Sequence, residues 1–300
     1  ARVVTVSLSD GDHIGWGESV PYARYDETVD GVIDTIRGLG DDLRNGLDRQ
    51  GLQSRLQAGA ARNALDCAFW DLEAKRSGQR AHAMAGIATM QPEVTAYTLS
   101  LADPETMRAK AAEHAKRPLL KIKLGGEGDL ARLEAVRTGA PQTDIIIDAN
   151  EGWDLATYQQ LAPVLVRLGV KMVEQPFPAA DDDALLGLDR VLPVCADESC
   201  HDRQSLPKLV GKYDMVNIKL DKSGGLTEAL LLRQQAEEMG FDIMVGCMVG
   251  SSLAMAPATI IAQGVAYTDL DGPLLLAEDR AIPLVFDDRY VFPPEPSLWG

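Results

Sequence analysis

From residue 94 onward, short β-branched apolar runs alternate with longer stretches whose apolar residues recur at helical spacing. The strand-like runs are 94–99, 119–124, 144–148, 171–174, 193–197, 214–220, 242–246 and 266–269. The stretches between them carry helix signals. Asp103 followed by Pro104 reads as an N-cap and a first-turn proline. Arg132, Leu133, Val136 and Arg137 continue one helix, and Leu161, Val164, Leu165 and Leu168 form the apolar stripe of another. Gly224-Gly225 precedes a long helix over 226–239. Strands and helices alternating over about 180 residues predict a (β/α)8 TIM barrel, somewhat short for its class. An open doubly wound sheet is the alternative, but no Gly-x-Gly-x-x-Gly turn follows the first strand.

The first 90 residues have a different rhythm. Val3 to Leu8 and His13 to Glu18 alternate around Asp10-Gly11-Asp12, which predicts a β-hairpin. A polar loop, 19–28, holds Tyr22, Arg24 and Tyr25. Helical segments follow, the clearest over 56–75, with Ala61, Leu65, Ala68 and Leu72 on one face and Gly78 as its stop. This part is an α+β unit, and the tail, 282–300, is expected to pack back on it. The chain opens at Ala1 on strand-like sequence, so a preceding segment is expected.

Two charges interrupt the apolar run at 119–124: Lys121 and Lys123. Strand side chains alternate between faces, so both point the same way. Like charges on one side of a buried strand are costly unless something compensates them. Compensation recurs at the length of one strand-plus-helix unit. Asp148 lies 25 residues beyond Lys123, then Glu174 by 26, Asp197 by 23 and Lys219 by 22, each ending a short apolar run. In a barrel such strand ends share one rim, where chemistry is placed. Three carboxylates converging there would raise one another's pKa values. A hard divalent cation, Mg²⁺, resolves this, since it takes oxygen ligands and keeps positions open for water or substrate. Asp197 and Glu198 alternate, so only Asp197 is expected to be a ligand. The strands of Lys123 and Lys219 lie across the mouth from each other. Two bases on opposite faces of one carbon are what inversion of a stereocentre needs. Alone, any one of these residues would read as a cap, a turn or a solvated lysine. Together, in matched register, they predict a site.

The formal net charge of −16 excludes nucleic acid and anionic membrane surfaces as partners, since both need a basic face. The 46% hydrophobic and 25% charged residues are those of an ordinary soluble protein, with no run long enough to span a membrane. Cys67, Cys195, Cys200 and Cys247 form no Cys-x-x-Cys pair and read as reduced thiols of a cytoplasmic protein. The four histidines do not cluster, which leaves a zinc site or a Ser-His-Asp triad without support.

Several stretches together identify a resemblance: Gly15-Trp16-Gly17-Glu18, Ala61-Arg62-Asn63-Ala64-Leu65-Asp66, Lys121-Ile122-Lys123, Asp148-Ala149-Asn150, Val173-Glu174-Gln175-Pro176, Ala196-Asp197-Glu198-Ser199, and Asn217 through Gly225. The chain resembles the enolase superfamily and its muconate-lactonizing-enzyme-like subgroup, over nearly its whole length. The resemblance implies a capping domain from residues 1–90 plus 283–300, over a modified barrel of residues 91–282. It implies Mg²⁺ on Asp148, Glu174 and Asp197, with Lys123 and Lys219 as acid and base, and Lys121 and Asn150 assisting. The shared step is abstraction of a proton α to a carboxylate.

Within the subgroup, Gly246-Cys247-Met248 with Ser251-Ser252, and Asp269-Leu270-Asp271-Gly272-Pro273, are similar to the dipeptide epimerases. That places Cys247 and Met248 at the substrate. Asp269 and Asp271 share a face at the last strand end, an acidic pair suited to a dipeptide's ammonium. Arg24 would pair with an anionic side chain, as in an Ala-Glu-like dipeptide. The expected activity is two-base epimerisation of a dipeptide, a small-molecule substrate, with homo-oligomerisation left open. N-succinylamino acid racemase, o-succinylbenzoate synthase and muconate cycloisomerase are same-fold alternatives, which leave the acidic pair without a cation. A non-catalytic protein of this fold would not need both lysines. The chain departs from the family pattern in lacking its usual first strand and its glycine-rich ending.

Overall fold

A computed structural model describes residues 2–300; Ala1, and any segment before it, lie outside the described residues. The hairpin forms as β1 (Val4–Ser9) and β2 (Ile14–Ser19), paired antiparallel. Helices α1 (Val29–Gly38), α2 (Gly40–Arg44), α3 (Arg49–Arg55), α4 (Ala60–Ser77) and α5 (Ala81–Met84) follow. The expected helix 56–75 starts four residues late. Leu56 closes α3, and Gly59, at φ 140°, turns the chain before α4 can begin. Gly78 ends α4 in the left-handed conformation, as its position predicts.

Strand β3 (Glu93–Val94) comes next. The barrel then runs β4 (Tyr97–Leu99), α6 (Pro104–Glu113), β5 (Leu119–Lys123), α7 (Asp129–Gly139), β6 (Asp144–Asp148), α8 (Leu155–Arg167) and β7 (Val170–Glu174). It continues with β8 (Val194–Ala196), α9 (Leu206–Leu209), β9 (Met215–Ile218), α10 (Leu220–Ser223), α11 (Leu226–Glu238), β10 (Asp242–Val245), α12 (Ser252–Ile261) and β11 (Tyr267–Thr268). Strands β4 to β11 form one parallel sheet in sequence order. A parallel bridge from Thr95 to Thr268, with Ala96 N–H donating to Thr268 O at 2.8 Å, joins its edges and closes the barrel. That closure excludes the open doubly wound sheet.

The expected strand 94–99 is split. Val94 pairs with the tail strand β12 (Tyr290–Val291), and Thr95 then switches partner to the last barrel strand. A 3-10 turn, Gly272–Leu275, stands where an eighth barrel helix would follow β11. The tail returns to α4: Trp299 is fully buried, its Nε1 donates to Cys67 O, and Gly300 N donates to Asp71 Oδ1. Among the described residues, no helix is long and apolar enough to cross a membrane.

Alternation along the barrel strands sorts its interior into layers. Ala96, Leu119, Ile146, Met172, Cys195, Met215 and Met244 form a buried apolar plug, with Tyr267 against it. The next inward residues on the same strands are Thr98, Lys121, Asp148, Glu174, Asp197, Asn217 and Asp269. The larger apolar core lies outside, between strands and helices, and a separate one joins the hairpin to α1, α3 and α4.

Strand β2 lies against α4 because Gly15 and Gly17 have no side chains. A Cβ on Gly17 would stand 2.1 Å from Ala64 O, and one on Gly15 2.2 Å from Ala68 O. Gly17→Ala is expected to lift β2 from α4 and cost roughly 2–4 kcal/mol in thermal or urea unfolding. Gly38→Ala, with open space around it, should leave stability unchanged or raise it by up to about 1 kcal/mol. Equal effects from the two substitutions would show that β2 does not depend on this close approach.

Candidate active site

The layer above the apolar plug is a field of paired charges. Lys121, 1% exposed, places Nζ 2.6 Å from Glu174 Oε2, 2.8 Å from Asp269 Oδ2 and 3.3 Å from Asp148 Oδ2. Lys123 Nζ lies 2.6 Å from Asp148 Oδ2. Lys219, just beyond β9, reaches Asp197 Oδ2 at 2.6 Å. Lys222 donates to Asp197 Oδ1 and Asp197 O at 2.6 Å, and to Asn217 O at 3.0 Å. Asn217 Nδ2 donates to Glu174 Oε1 at 2.7 Å.

Burial alone would lower the Lys121 pKa, but Asp269, Glu174 and Asp148 together hold it well above the usual lysine range. Burial likewise works against the Asp197 carboxylate, yet Lys219 and Lys222 hold it well below its usual range. Burial and the neighbouring Asp148 push Glu174 upward.

Asp148, Glu174 and Asp197 offer oxygen atoms that all lie within 4.8 Å of one another, and all three side chains are buried. Glu174 Oε2 approaches Lys121 closely but has no aligned hydrogen-bond donor. Three convergent carboxylates, one with an oxygen not committed to a hydrogen bond, fit a hard divalent cation such as Mg²⁺.

Above this floor opens a cavity of about 550 Å³. Lys121, Lys123, Asp197 and Lys219 line its base, with Asn150, Cys247, Met248, Asp269 and Asp271 on its walls. The structure thus gathers eleven of the twelve sequence-derived residues, Asp148 and Glu174 lying beneath the cavity. Arg24 is the twelfth, and its guanidinium is bound instead to Glu151. Asp269 is engaged by Lys121, and Asp271 Oδ2 accepts from Thr98 N at 2.6 Å. Burial, with Asp269 beside it, pushes Asp271 up to about 7.

Other residues at the site were not legible as such in the sequence. Lys222 carries a signal, three residues past Lys219 in a helical turn, but its aim at Asp197 follows only from the fold. Gln175, at φ 34°, accepts from Asp197 N and Ser199 N and donates to Phe177 O, Ser199 Oγ and Tyr213 OH, fastening the ends of β7 and β8 together. Glu198 lines the cavity although alternation turns it away. Strand β8 ends at Ala196, so alternation no longer governs it. Tyr22, Tyr25 and Arg2 reach the same cavity from the N-terminal unit.

That unit is fastened to the barrel by buried polar residues of α4. Arg62 donates to Ser223 O and Gly224 O, Asp66 accepts from Thr227 N, and Asn63 Nδ2 donates to Asp221 Oδ1 at 2.8 Å. Gly224 and Gly225 permit this: both have positive φ, and a Cβ on either would strike Arg62 or Asp66 within 2.5 Å. Asp221 also accepts from Val20 N at 2.9 Å, and Glu18 accepts from Ser251 N and Oγ. Both contacts fix the two ends of the cavity wall, loop 19–28 and loop 246–251.

Two family models match the chain: "Enolase C-terminal domain-like" over residues 106–295, and "Mandelate racemase / muconate lactonizing enzyme, N-terminal domain" over residues 1–86. An L-Ala-D/L-Glu epimerase of Escherichia coli K12 is 46% identical over 281 residues, 93% of this chain and 88% of that protein. An N-acetyl-D-glutamate racemase of Pseudoalteromonas is 44% identical over 300 residues, 99% of this chain and 95% of that protein. The crystal structure of an enolase family member from Agrobacterium tumefaciens, with homology to dipeptide epimerases, superposes with a TM-score of 0.98 at 54% identity. It holds sodium and L-Ala-L-Glu with an ordered loop, and the match covers 99% of this chain and 91% of that one.

Burial pushes Asp221 up to about 7. Its folded pKa exceeds the unfolded value of 3.8, so its contribution to stability is complete below about pH 4 and is lost as pH rises through about 7. Asp221→Asn keeps an oxygen for Val20 and Asn63. The variant is expected to show less loss of stability between pH 5 and pH 8 than the parent, by a few kcal/mol at most, in urea unfolding at each pH. Parallel curves for the two proteins would remove Asp221 as the titrating group.

Proposed function

The chain belongs to the mandelate racemase and muconate lactonizing enzyme family, with an enolase-like C-terminal part, and from that premise we propose that it is a Mg²⁺-dependent dipeptide epimerase. It inverts the α-carbon of the C-terminal residue of an L-Ala-L-Glu-like substrate. The observation that carries this reading is the pair of amines flanking the carboxylate triad. Lys123 ends β5 and Lys219 follows β9, four strands apart in a ring of eight.

Asp148, Glu174 and Asp197 would hold the cation. When bound there, Mg²⁺ supplies positive charge against the negative charge that develops on the substrate's carboxylate as its α-proton leaves. Lys123 and Lys219 address the α-carbon from opposite sides. The one that is neutral removes the proton, and the other, as ammonium, delivers one to the far face. The roles exchange with the substrate's configuration, so one site runs in both directions. Lys121 stays charged among its three carboxylates and adds positive potential to the floor. Asn150, Cys247 and Met248 form walls, and Asp269 and Asp271 face the substrate's ammonium. The four free cysteines fit a reducing, cytoplasmic compartment.

A second reading has its own support. Asp269 is already paired with Lys121, and the rise of Asp271 to about 7 leaves this acidic pair only partly charged. A substrate with an acylated amine, such as an N-acylglutamate, carries no ammonium to place there. The same two lysines would then racemise that substrate.

Proton NMR in D₂O with Mg²⁺ separates these readings, with L-Ala-L-Glu, other L,L-dipeptides and N-acylglutamates as the panel. Loss of the α-proton signal and growth of a diastereomer are expected with dipeptides. Lys123→Ala and Lys219→Ala should each lower epimer formation about 10²–10⁴-fold. Inert dipeptides beside exchanging N-acylglutamates would move the assignment to the second reading. Silence across the whole panel would refute both.

A further inference from the structure

Arg24 is the one sequence-derived site residue that the structure directs away from the cavity. Its guanidinium grips Glu151 with Nε to Oε2 at 2.9 Å and Nη2 to Oε1 at 2.7 Å. Such two-pronged pairs fix direction as well as distance. Glu151 is fastened in turn, its Oε1 accepting from Ala179 N at 2.7 Å and its own N–H donating to Gln175 O at 2.9 Å.

The backbone under Glu151 is unusual. Asn150 at φ 46° and Glu151 at φ 64° are consecutive left-handed residues, and neither is glycine. Conformations of this kind persist only where surrounding contacts hold them. Here they send Asn150 to the cavity and the Glu151 carboxylate to Arg24.

On the other side, Arg24 is the middle residue of a 3-10 turn, Ala23–Tyr25. Its neighbours Ala23 and Tyr25, and Tyr22 before them, line the cavity. The feet of this loop are held elsewhere, by Val20 N on Asp221 and by Glu27 against Tyr22 N and Ala60 N. The crest rests on Glu151 through Arg24, and on His201 through Tyr25, whose ring centres lie 4.7 Å apart.

We infer that Arg24 and Glu151 form a strap that holds the crest of loop 19–28 against the barrel rim, so that Tyr22 and Tyr25 close over the substrate. Arg24 is a positioning residue in this arrangement. It acts on any dipeptide through the two rings and does not read the substrate's side chain. The inference rests on the epimerase reading for its kinetic consequence, but its structural content is independent of that reading. Half of the Arg24 side chain is exposed, and exposed ion pairs add little to global stability. The strap therefore bears on substrate binding more than on unfolding.

Arg24→Gln, Glu151→Gln and the double variant test this in the full chain with Mg²⁺. The substrates are L-Ala-L-Glu and the neutral L-Ala-L-Ala. Each single variant is expected to raise KM about five- to tenfold for both dipeptides with kcat within about twofold, and the double variant to be no worse than either. Chymotrypsin cleavage after Tyr22 and Tyr25 should accelerate several-fold in all three, with Tm nearly unchanged. Arg24→Gln weakening L-Ala-L-Glu alone, while Glu151→Gln leaves or improves it, would overturn the strap and make Arg24 a side-chain ligand. Unchanged KM and unchanged cleavage in both single variants would also overturn it. If the parent protein turns over no dipeptide, the epimerase reading fails, and the cleavage rates still decide the strap.

Discussion

Four ammonium groups and four carboxylates share the mouth of this barrel, and most of them are out of reach of water. Lys121, Lys123, Lys219 and Lys222 stand against Asp148, Glu174, Asp197 and Asp269 at distances of 2.6–3.3 Å. An unpaired charge at such depth costs several kcal/mol, so no member of the set is independent of the others. The rest of the fold follows from this constraint. A plug of methionine, isoleucine, leucine and cysteine side chains closes the barrel beneath the layer and keeps water from its lower side. Asn217 and Gln175, both fully buried, orient carboxylate and backbone without adding charge.

The same constraint explains why the N-terminal unit is tied so firmly to the barrel. Removing water from above the charge layer requires a cover, and a cover works only if its edges hold position. Arg62, Asn63 and Asp66 of α4 grip residues 221–227, directly after Lys219. Glu18 grips Ser251, directly after the wall formed by Cys247 and Met248. Each tie joins a covering element to a segment next to cavity-lining groups, Lys219 in one case and Cys247 and Met248 in the other. Stability of the covering unit and geometry of the site are therefore not separable properties here.

How much of this was legible in the sequence depended on whether a residue's role was set by its strand. Strand phase placed Lys121, Lys123, Asp148 and Glu174 on one inner surface, because alternation is rigid within a strand, and it still held for Asp197 and Asp269, one residue past the ends of β8 and β11. It said nothing reliable farther past a strand end. Glu198 lies two residues beyond Ala196 and turns into the cavity. Glu151 faces Arg24 because two residues adopt left-handed dihedrals that no composition rule foretells. The split of 94–99 was hidden for another reason: β3 and β4 are one apolar run, and only the arrival of the tail strand shows that it serves two sheets. The buried polar motif of α4 was visible as a resemblance, but its function as a clamp required the partner loop to be in place.

Lys121 links two decisions that could have been separate. Its single ammonium touches Glu174 and Asp148, two of the proposed cation ligands, and Asp269, one of the two aspartates proposed for the substrate's ammonium. Any positive group arriving near Asp269 competes with Lys121 for that carboxylate, and any cation arriving between Asp148 and Glu174 competes with it there. A buried ammonium relieved on one side leans on the other, because its charge must remain compensated. On the epimerase reading, a cation held by Asp148 and Glu174 and an amine held by Asp269 would both draw on carboxylates that Lys121 now touches. An acylated amine would leave Asp269 with Lys121 and escape that competition. On the proposed reading, the choice between dipeptide and N-acyl substrate would turn on how far Asp269 is free of Lys121, and less on the two lysines proposed to move protons.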